Sequence, residues 1–293
     1  MQSNTQWKGK SYGGKFGHAA FVFLLRAFGL RAAYCLLVFV AFYFVFFKRG
    51  IYTESAAYLK RAIAPRRAAM PFHVYRHVYN FGKILIDKWA YYMDAAKIEI
   101  DNSASESVKT LIANGAGMLA VNAHIGAWDV AANLLRQTYG RDIFILGLNT
   151  EDEDIEALLK KNRTIPQVET LDADKLSIIG AYKLLKGGAI VAMQSDRLIE
   201  NGRFTSIDFF GAKVKIPLAA FSLARHAEVP LVQIHCVRTA YAKYKVIAFP
   251  PLNNSDSETE QAQAYAKNLE EVLKKYPYQW ANFYNFFGDE RTL

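Results

Sequence analysis

The chain has 293 residues and a net charge of +9, carried by 36 Lys and Arg against 27 Asp and Glu, with 14% aromatic residues. Residues 1–70 hold eleven Lys and Arg against a single acid, Glu54, so the basic excess is local rather than global. Two cysteines exclude a disulfide framework, and the length beyond residue 50 suits one sizeable α/β domain.

The basic stretch flanks an uncharged run, Ala32 to Phe47, that contains Tyr34, Phe39, Phe42, Tyr43, Phe44, Phe46 and Phe47. As a helix, sixteen residues reach about 24 Å, short of the roughly 30 Å hydrocarbon core of a bilayer. Extending it back to Ala27 buries Arg31. A secretory signal fits poorly, because the basic lead-in is long and no small-residue cleavage site follows. A buried core helix remains open, but gains nothing from polybasic flanks. Those flanks suit a segment lying in, or dipping into, a membrane face with its cations at anionic headgroups. Nucleic acid is not expected as a partner, since base-stacking residues would be interspersed with the charges. The chain therefore divides into a membrane-associated segment, 1–50, and a domain, 51–293, with a helical lead-in over 51–114.

Thr53 is placed to cap a first helix, Pro71 to open a second, and Ala104 to Asn114 forms a third before the turn at Asn114–Gly117. Apolar runs then alternate with helical periods, as in βαβ units. The strands expected are Met118–Ala123, Ile143–Leu148, Ala189–Gln194, Leu231–Val237 and Tyr244–Phe249. Helices are expected near 127–138, 151–162, 174–186, 216–227 and 257–275, with a capping box at Thr150–Glu153. The fold class is α/β: a mixed, largely parallel sheet flanked by helices, with an N-terminal membrane-associated helical segment.

The chemistry concentrates at His124-Ile125-Gly126-Ala127-Trp128-Asp129, between a strand and a helix. In open α/β sheets reacting groups collect at the carboxyl ends of strands. Residues five apart on a continuous helix diverge by roughly 140°. His124 and Asp129 can therefore meet only if His124 precedes the helix and Asp129 folds back from its first turn. Such a pair makes a general base for a substrate hydroxyl or amine. The alternative is a helix-capping histidine beside an ordinary first-turn acid.

A second polar cluster, Ser195-Asp196-Arg197, follows another strand. The Arg197 guanidinium suits a phosphate or carboxylate. Phe209, Phe210 and Gly211 suit an apolar slot, Lys213 and Lys215 follow, and Pro217 is placed to open a helix. The competing reading is a structural Asp196–Arg197 turn over core phenylalanines. His73 and His77 share a helical face but have no evident third ligand, so no metal is expected. Cys35 lies in the apolar run and Cys236 in a strand with His235 facing the other way, so neither reads as a nucleophile.

Together these blocks resemble the lysophospholipid acyltransferase superfamily, and within it the bacterial lipid A biosynthesis (lauroyl/myristoyl) acyltransferases. The carriers are the H-x4-D block at His124–Asp129, Ser195-Asp196-Arg197, Asp208 to Pro217, Ala227 to Val232, and Tyr276-Pro277-Tyr278-Gln279-Trp280. Glu54 to Leu59 is similar to the family's N-terminal region.

The resemblance implies an enzyme on the cytoplasmic face of a bacterial inner membrane. It would move a fatty acyl group from an acyl-carrier-protein or CoA thioester to a hydroxyl or amine of a lipid A-type glycolipid, with no cofactor beyond the thioester co-substrate. His124 would be the base and Asp129 its orienting acid. Asp196, Arg197, Lys213, Lys215, Phe209 and Phe210 would bind substrate, and the N–H groups at Gly126 and Ala127 would hold the oxyanion. Archetypal members carry Glu at the position of Asp129 and a basic segment after the Trp, where this chain has the uncharged 282–287. A lysophospholipid, aminoacyl lipid or polyene lipid acceptor, or a non-catalytic membrane-tethered lipid- or carrier-binding protein, are the alternatives.

Overall fold

The computed structural model describes residues 14–102, 106–147, 153–172, 175–198 and 202–288. The described residues open with three α-helices: α1 (Gly14–Phe47), α2 (Arg49–Ala62) and α3 (Met70–Tyr92). A short strand β1 (Glu99–Asp101) and helix α4 (Glu106–Ala113) follow. The alternating region then runs β2 (Met118–Asn122), α5 (Trp128–Tyr139), β3 (Ile143–Gly147), α6 (Glu153–Asn162), β4 (Glu169–Asp172), α7 (Lys175–Lys186) and β5 (Ile190–Gln194). A hairpin of β6 (Phe204–Phe209) and β7 (Ala212–Pro217) leads to α8 (Ala219–Ala227), β8 (Leu231–Ala240), β9 (Lys243–Ala248) and α9 (Glu258–Lys275).

Seven strands form one sheet in the order β1-β9-β8-β2-β5-β3-β4. Every pairing in it is parallel except β8 with β9. β2 lies between β5 and β8, and all five of its residues are buried. That burial explains why its sequence is a continuous apolar run rather than an alternating one. One face of the sheet is covered by α7, α8 and α9, in a core that includes Leu119, Val121, Val191, Phe221, Leu269 and Trp280. The other face is covered by α4 and α5 through Val108, Ile112, Val130 and Ala131.

The expected strands and helices from residue 118 onward are present, most within one to three residues of the expected ends. Three local expectations are corrected. Thr53 lies inside α2, where its hydroxyl bonds back to the Arg49 carbonyl at 3.0 Å, so the helix starts a turn earlier. Pro217 ends β7 instead of opening α8; with φ already fixed it suits a strand end as well as a helix start. The short strands β1 and β4 and the β6–β7 hairpin are additional to the expected ones, because exposed residues interrupt them and leave no continuous apolar run. The Thr150–Glu153 capping box lies at the edge of the described residues, with Thr150 outside them. α9, by contrast, has a complete capping box of Ser257 and Glu260.

α1 is longer than its apolar run, with a break at Gly29, where φ is 76°. Its stretch Phe16–Phe47, which holds an 18-residue window of mean hydropathy 2.2, is long and apolar enough to cross a membrane, which makes it a candidate membrane-associated segment. One side of it nevertheless packs on the domain through Leu25, Leu30, Ala33 and Leu37 against Ile86 and Ala90 of α3. The buried carboxylate of Asp87 on α3 fixes this docking. It accepts from Tyr34 of α1, from the Tyr244 hydroxyl at 2.6 Å and from Nε of Arg238 at 2.8 Å. The opposite side of α1 exposes Phe16, Phe23, Phe28, Phe39, Phe42, Tyr43, Phe46 and Phe47.

Candidate active site

The site forms where two adjacent parallel strands end. Register pairs Asn122 of β2 with Gln194 of β5, and the ladder continues one step further through Ser195 N–H to the Asn122 carbonyl at 2.9 Å. Two residues beyond each of those ends stand His124 and Asp196, side by side. His124 Nδ1 lies 2.7 Å from Asp196 Oδ1, and the His124 backbone N–H donates to Oδ2 at 3.1 Å. A carboxylate can only accept, so Nδ1 carries the proton and Nε2 is the basic nitrogen.

Trp280 donates its indole N–H to Oδ2 of the same carboxylate at 2.8 Å. Asp196 is 1% exposed, whereas the His124 side chain keeps 22% of its surface. Burial alone would raise the Asp196 carboxyl, but the attraction of His124 and Arg197 and the indole hydrogen bond hold it well below the usual carboxylate range. Burial pulls the His124 ring below its ordinary value, against the opposing pull of Asp196. The pair is thus a neutral imidazole held by an ionised acid.

The turn that presents His124 is built by close backbone approach. Gly126 has φ +63°, and a Cβ there would sit 1.7 Å from the Cys236 carbonyl oxygen, so only glycine fits. A strap from the C-terminal segment lies across the turn. Ile125 bridges Trp280 in antiparallel fashion, and Ala281 N–H donates to the His124 carbonyl at 2.7 Å. The strap is itself pinned from α3. His77 Nε2 is 2.6 Å from the Trp280 carbonyl, so Nδ1 accepts from the Ser55 hydroxyl 2.7 Å away. His73 reaches the Tyr278 hydroxyl at 2.6 Å. These contacts occupy both histidines, and among the described residues no cluster of three metal-ligating side chains occurs.

The Nδ1 of His124 is taken by Asp196, and Asp129 is paired with Lys88. It stands in the first turn of α5, on the other side of the turn, where its Oδ2 is 2.8 Å from Lys88 Nζ and its carbonyl accepts from Tyr92 at 3.2 Å. The left-handed residue Gly126 redirects the chain before the helix begins, and the helix carries Asp129 toward α3. The N–H groups of Gly126 and Ala127 are also spent, on the carbonyls of Gln279 at 3.3 Å and Cys236 at 3.0 Å. They cannot serve as oxyanion donors while the turn is closed.

The remaining expected residues divide. Arg197 neighbours the pair, with Nη2 on the Ala281 carbonyl at 2.8 Å and its guanidinium 5.5 Å from the Tyr284 ring centre. It therefore holds the strap to the β5 loop. Phe209 is buried against Trp280 at 5.7 Å, and Phe210 lies beside Tyr58 at 6.3 Å, so they back the indole. Lys213 pairs with Asp208 at 2.9 Å, and Lys215 lies 4.5 Å from the Phe204 ring centre. Both are drawn to partners within the exposed hairpin rather than to His124.

The sequence points Asp196 toward substrate, shows Trp280 only as part of a family block, and shows His77 only as half of an incomplete metal-ligand pair; their hydrogen bonds to the site are visible in the structure alone. The signal that would have found the first was the matched position of His124 and Asp196 beyond two neighbouring strands.

A search of the curated proteins matches no relative. A family model described as bacterial lipid A biosynthesis acyltransferase matches residues 1–288, nearly the whole chain and every element that builds the His124 site. The chain belongs to the bacterial lipid A biosynthesis acyltransferase family.

Proposed function

We propose that the protein is a membrane-bound acyltransferase in which His124 is the general base and Asp196 fixes its tautomer. The observation that carries this reading is the 2.7 Å contact of His124 Nδ1 with Asp196 Oδ1, which turns Nε2 into the acceptor nitrogen. Nε2 takes the proton of the lipid hydroxyl or amine as that atom attacks the thioester carbonyl. The tetrahedral intermediate then collapses, the C–S bond breaks, and the thiolate recovers the proton from the imidazolium. A thioester is already activated, so no covalent enzyme intermediate is needed. Asp196 stabilises the transient imidazolium, as the acid of a catalytic triad does.

The donor is an acyl thioester on acyl carrier protein or CoA, and the acceptor a lipid A-type glycolipid. The exposed aromatic side of α1 would lie in the cytoplasmic leaflet of a bacterial inner membrane. Docking of α1 along α3 supports a helix lying in the interface beside the domain rather than one crossing alone. The test is incubation of the full-length protein in detergent micelles with acyl carrier protein or CoA thioesters and envelope glycolipids, with mass spectrometry of the lipids. One added acyl chain, absent with His124→Ala, is expected. No acylated product with either donor would defeat the reading.

A further inference from the structure

A second polar recess lies on the far side of the strap, outside the His124–Asp196 pair. Its volume is about 250 Å³, and its walls include Arg76 and Asn80 of α3, Arg238 of β8, and Lys275, Tyr278 and Gln279. No carboxylate is among its lining residues. Asp87 balances Arg238 from behind, through Nε at 2.8 Å, which leaves the charges of Arg76 and Lys275 facing the recess. Nearby Lys83 is pulled down to about 8, first by partial burial and then by the repulsion of Arg238 and Arg76, with Asp87 opposing. Cations held this close to one another gain when an anion enters.

The recess also has a defined neighbourhood. The Arg76 guanidinium is 4.4 Å from the Tyr278 ring centre and 5.7 Å from that of Phe72, an exposed residue. One residue away, Tyr75 meets Phe42 of α1 at 4.7 Å. α1 therefore packs on the same helix, α3, that supplies Arg76 and Asn80 to the recess. Gln279, which donates to the Arg238 carbonyl and accepts from its N–H, both at 2.7 Å, links the recess to the turn of His124.

We infer that this recess binds the phosphoryl group of a lipid headgroup. Arg76 and Lys275 supply charge-assisted hydrogen bonds, Arg238 closes the back wall, and Asn80 and Tyr278 offer polar contacts to the rest of the headgroup. The volume falls just below the roughly 300 Å³ at which small-molecule sites begin, enough for more than a bare phosphate. The assignment rests on the membrane placement of α1 proposed above, but not on acyl transfer.

The test uses full-length protein in two arms, with the double variant Arg76→Gln/Lys275→Gln. In detergent, sodium phosphate should raise the melting temperature of the wild type above sodium chloride of equal ionic strength. The double variant should weaken phosphate binding by about tenfold or more, as expected for lost charge-assisted bonds. In flotation, phosphatidylcholine vesicles should bind wild type and variant alike, and added phosphatidic acid should strengthen the wild type alone. Failure to bind neutral vesicles would remove the membrane placement while leaving the phosphate arm to judge the recess. Should the double variant melt early in chloride, Lys275→Gln, an exposed change, replaces it. An equal phosphate response in wild type and variant overturns the site. A phosphate response without the phosphatidic acid difference overturns its assignment to lipid.

Discussion

Trp280 donates its indole N–H to the carboxylate of Asp196 at 2.8 Å, from a side chain with no exposed surface. The donor comes from the C-terminal strap and the acceptor from the end of β5, so the ionised acid is held by a residue 84 positions away. Trp280→Phe keeps one aromatic ring against Tyr58, Phe209 and Phe286 and deletes the donor together with the second ring of the indole. The expected loss is at least about 1.5–3 kcal/mol of stability, the range for a hydrogen bond to a charged group, with the cost of the vacated ring volume added to it, together with a lower kcat. Chemical unfolding and steady-state acyl transfer measure the two. Unchanged kcat would mean that the indole bond plays no part in positioning His124.

The two acids near the turn separate by substitution. His124→Ala should lower acyl transfer by about 10²–10⁴-fold, the usual weight of a positioned acid–base group, with the fold intact. Asp196→Asn should fall in the same range, because an amide can receive Nδ1–H but cannot stabilise the imidazolium. Asp129→Asn loses the charge that faces Lys88 and should show mainly a lower melting temperature, with activity within about tenfold of wild type. Greater damage from Asp129→Asn than from Asp196→Asn, at matched stability, would assign the orienting role to Asp129.

The difference between those acids marks how far the sequence could be read. The run Met118–Ala123 announced a buried strand because both neighbours are parallel and both faces are covered. His124 at its end was legible for the same reason. Asp129 drew attention by nearness in sequence, yet the partner came from Asp196, which only the pairing of β2 with β5 makes a neighbour. The strap around Trp280 could be recognised as a family block, but its hydrogen bonds to His77, His124 and Asp196 are long-range and have no periodic signature. In α1, composition suggested the membrane, while the Asp87 clamp that docks its other side depends on three separate elements.

Buried histidines set an acid limit on the fold. Burial pulls both His77 and His235 down to about 4, while the unfolded chain titrates near 6.5. Below about pH 6.5 the unfolded state therefore binds protons that the native state refuses, and stability rises with pH across the interval. Each histidine contributes stability that is present above 6.5 and lost as pH falls toward 4, on the order of 3 kcal/mol apiece. Unfolding free energies measured from pH 8 to pH 4.5 should show this slope. His77→Gln, which retains a donor for the Trp280 carbonyl, should flatten it; an unaltered slope would locate the acid sensitivity elsewhere.

Gly126→Ala tests the tightness of the turn. The added Cβ meets the Cys236 carbonyl oxygen at 1.7 Å and the backbone has φ +63°, so steric overlap and left-handed strain add. A loss of at least about 2–3 kcal/mol is expected, together with a drop in activity, because His124 lies two residues away. A melting temperature within about one degree of wild type would show that the turn can open without cost.

The outer side of α1 allows the membrane placement to be tested without dismantling the domain. Deleting residues 1–50 would strip Leu25, Leu30, Ala33 and Leu37 from α3 and remove Tyr34 from Asp87, so a soluble or an aggregated product would say little about lipid. Phe39, Phe46 and Phe47 are 72%, 67% and 73% exposed and can be changed to Ser together. Because they are so exposed, the triple variant should melt near the wild type, as surface changes usually alter stability by no more than about 0.5 kcal/mol. Its partition into phosphatidylcholine vesicles should fall by at least tenfold, since full burial of one such ring is worth about 1.5–3 kcal/mol. Retention of wild-type vesicle binding by a well-folded triple variant would move the membrane contact off this side of α1.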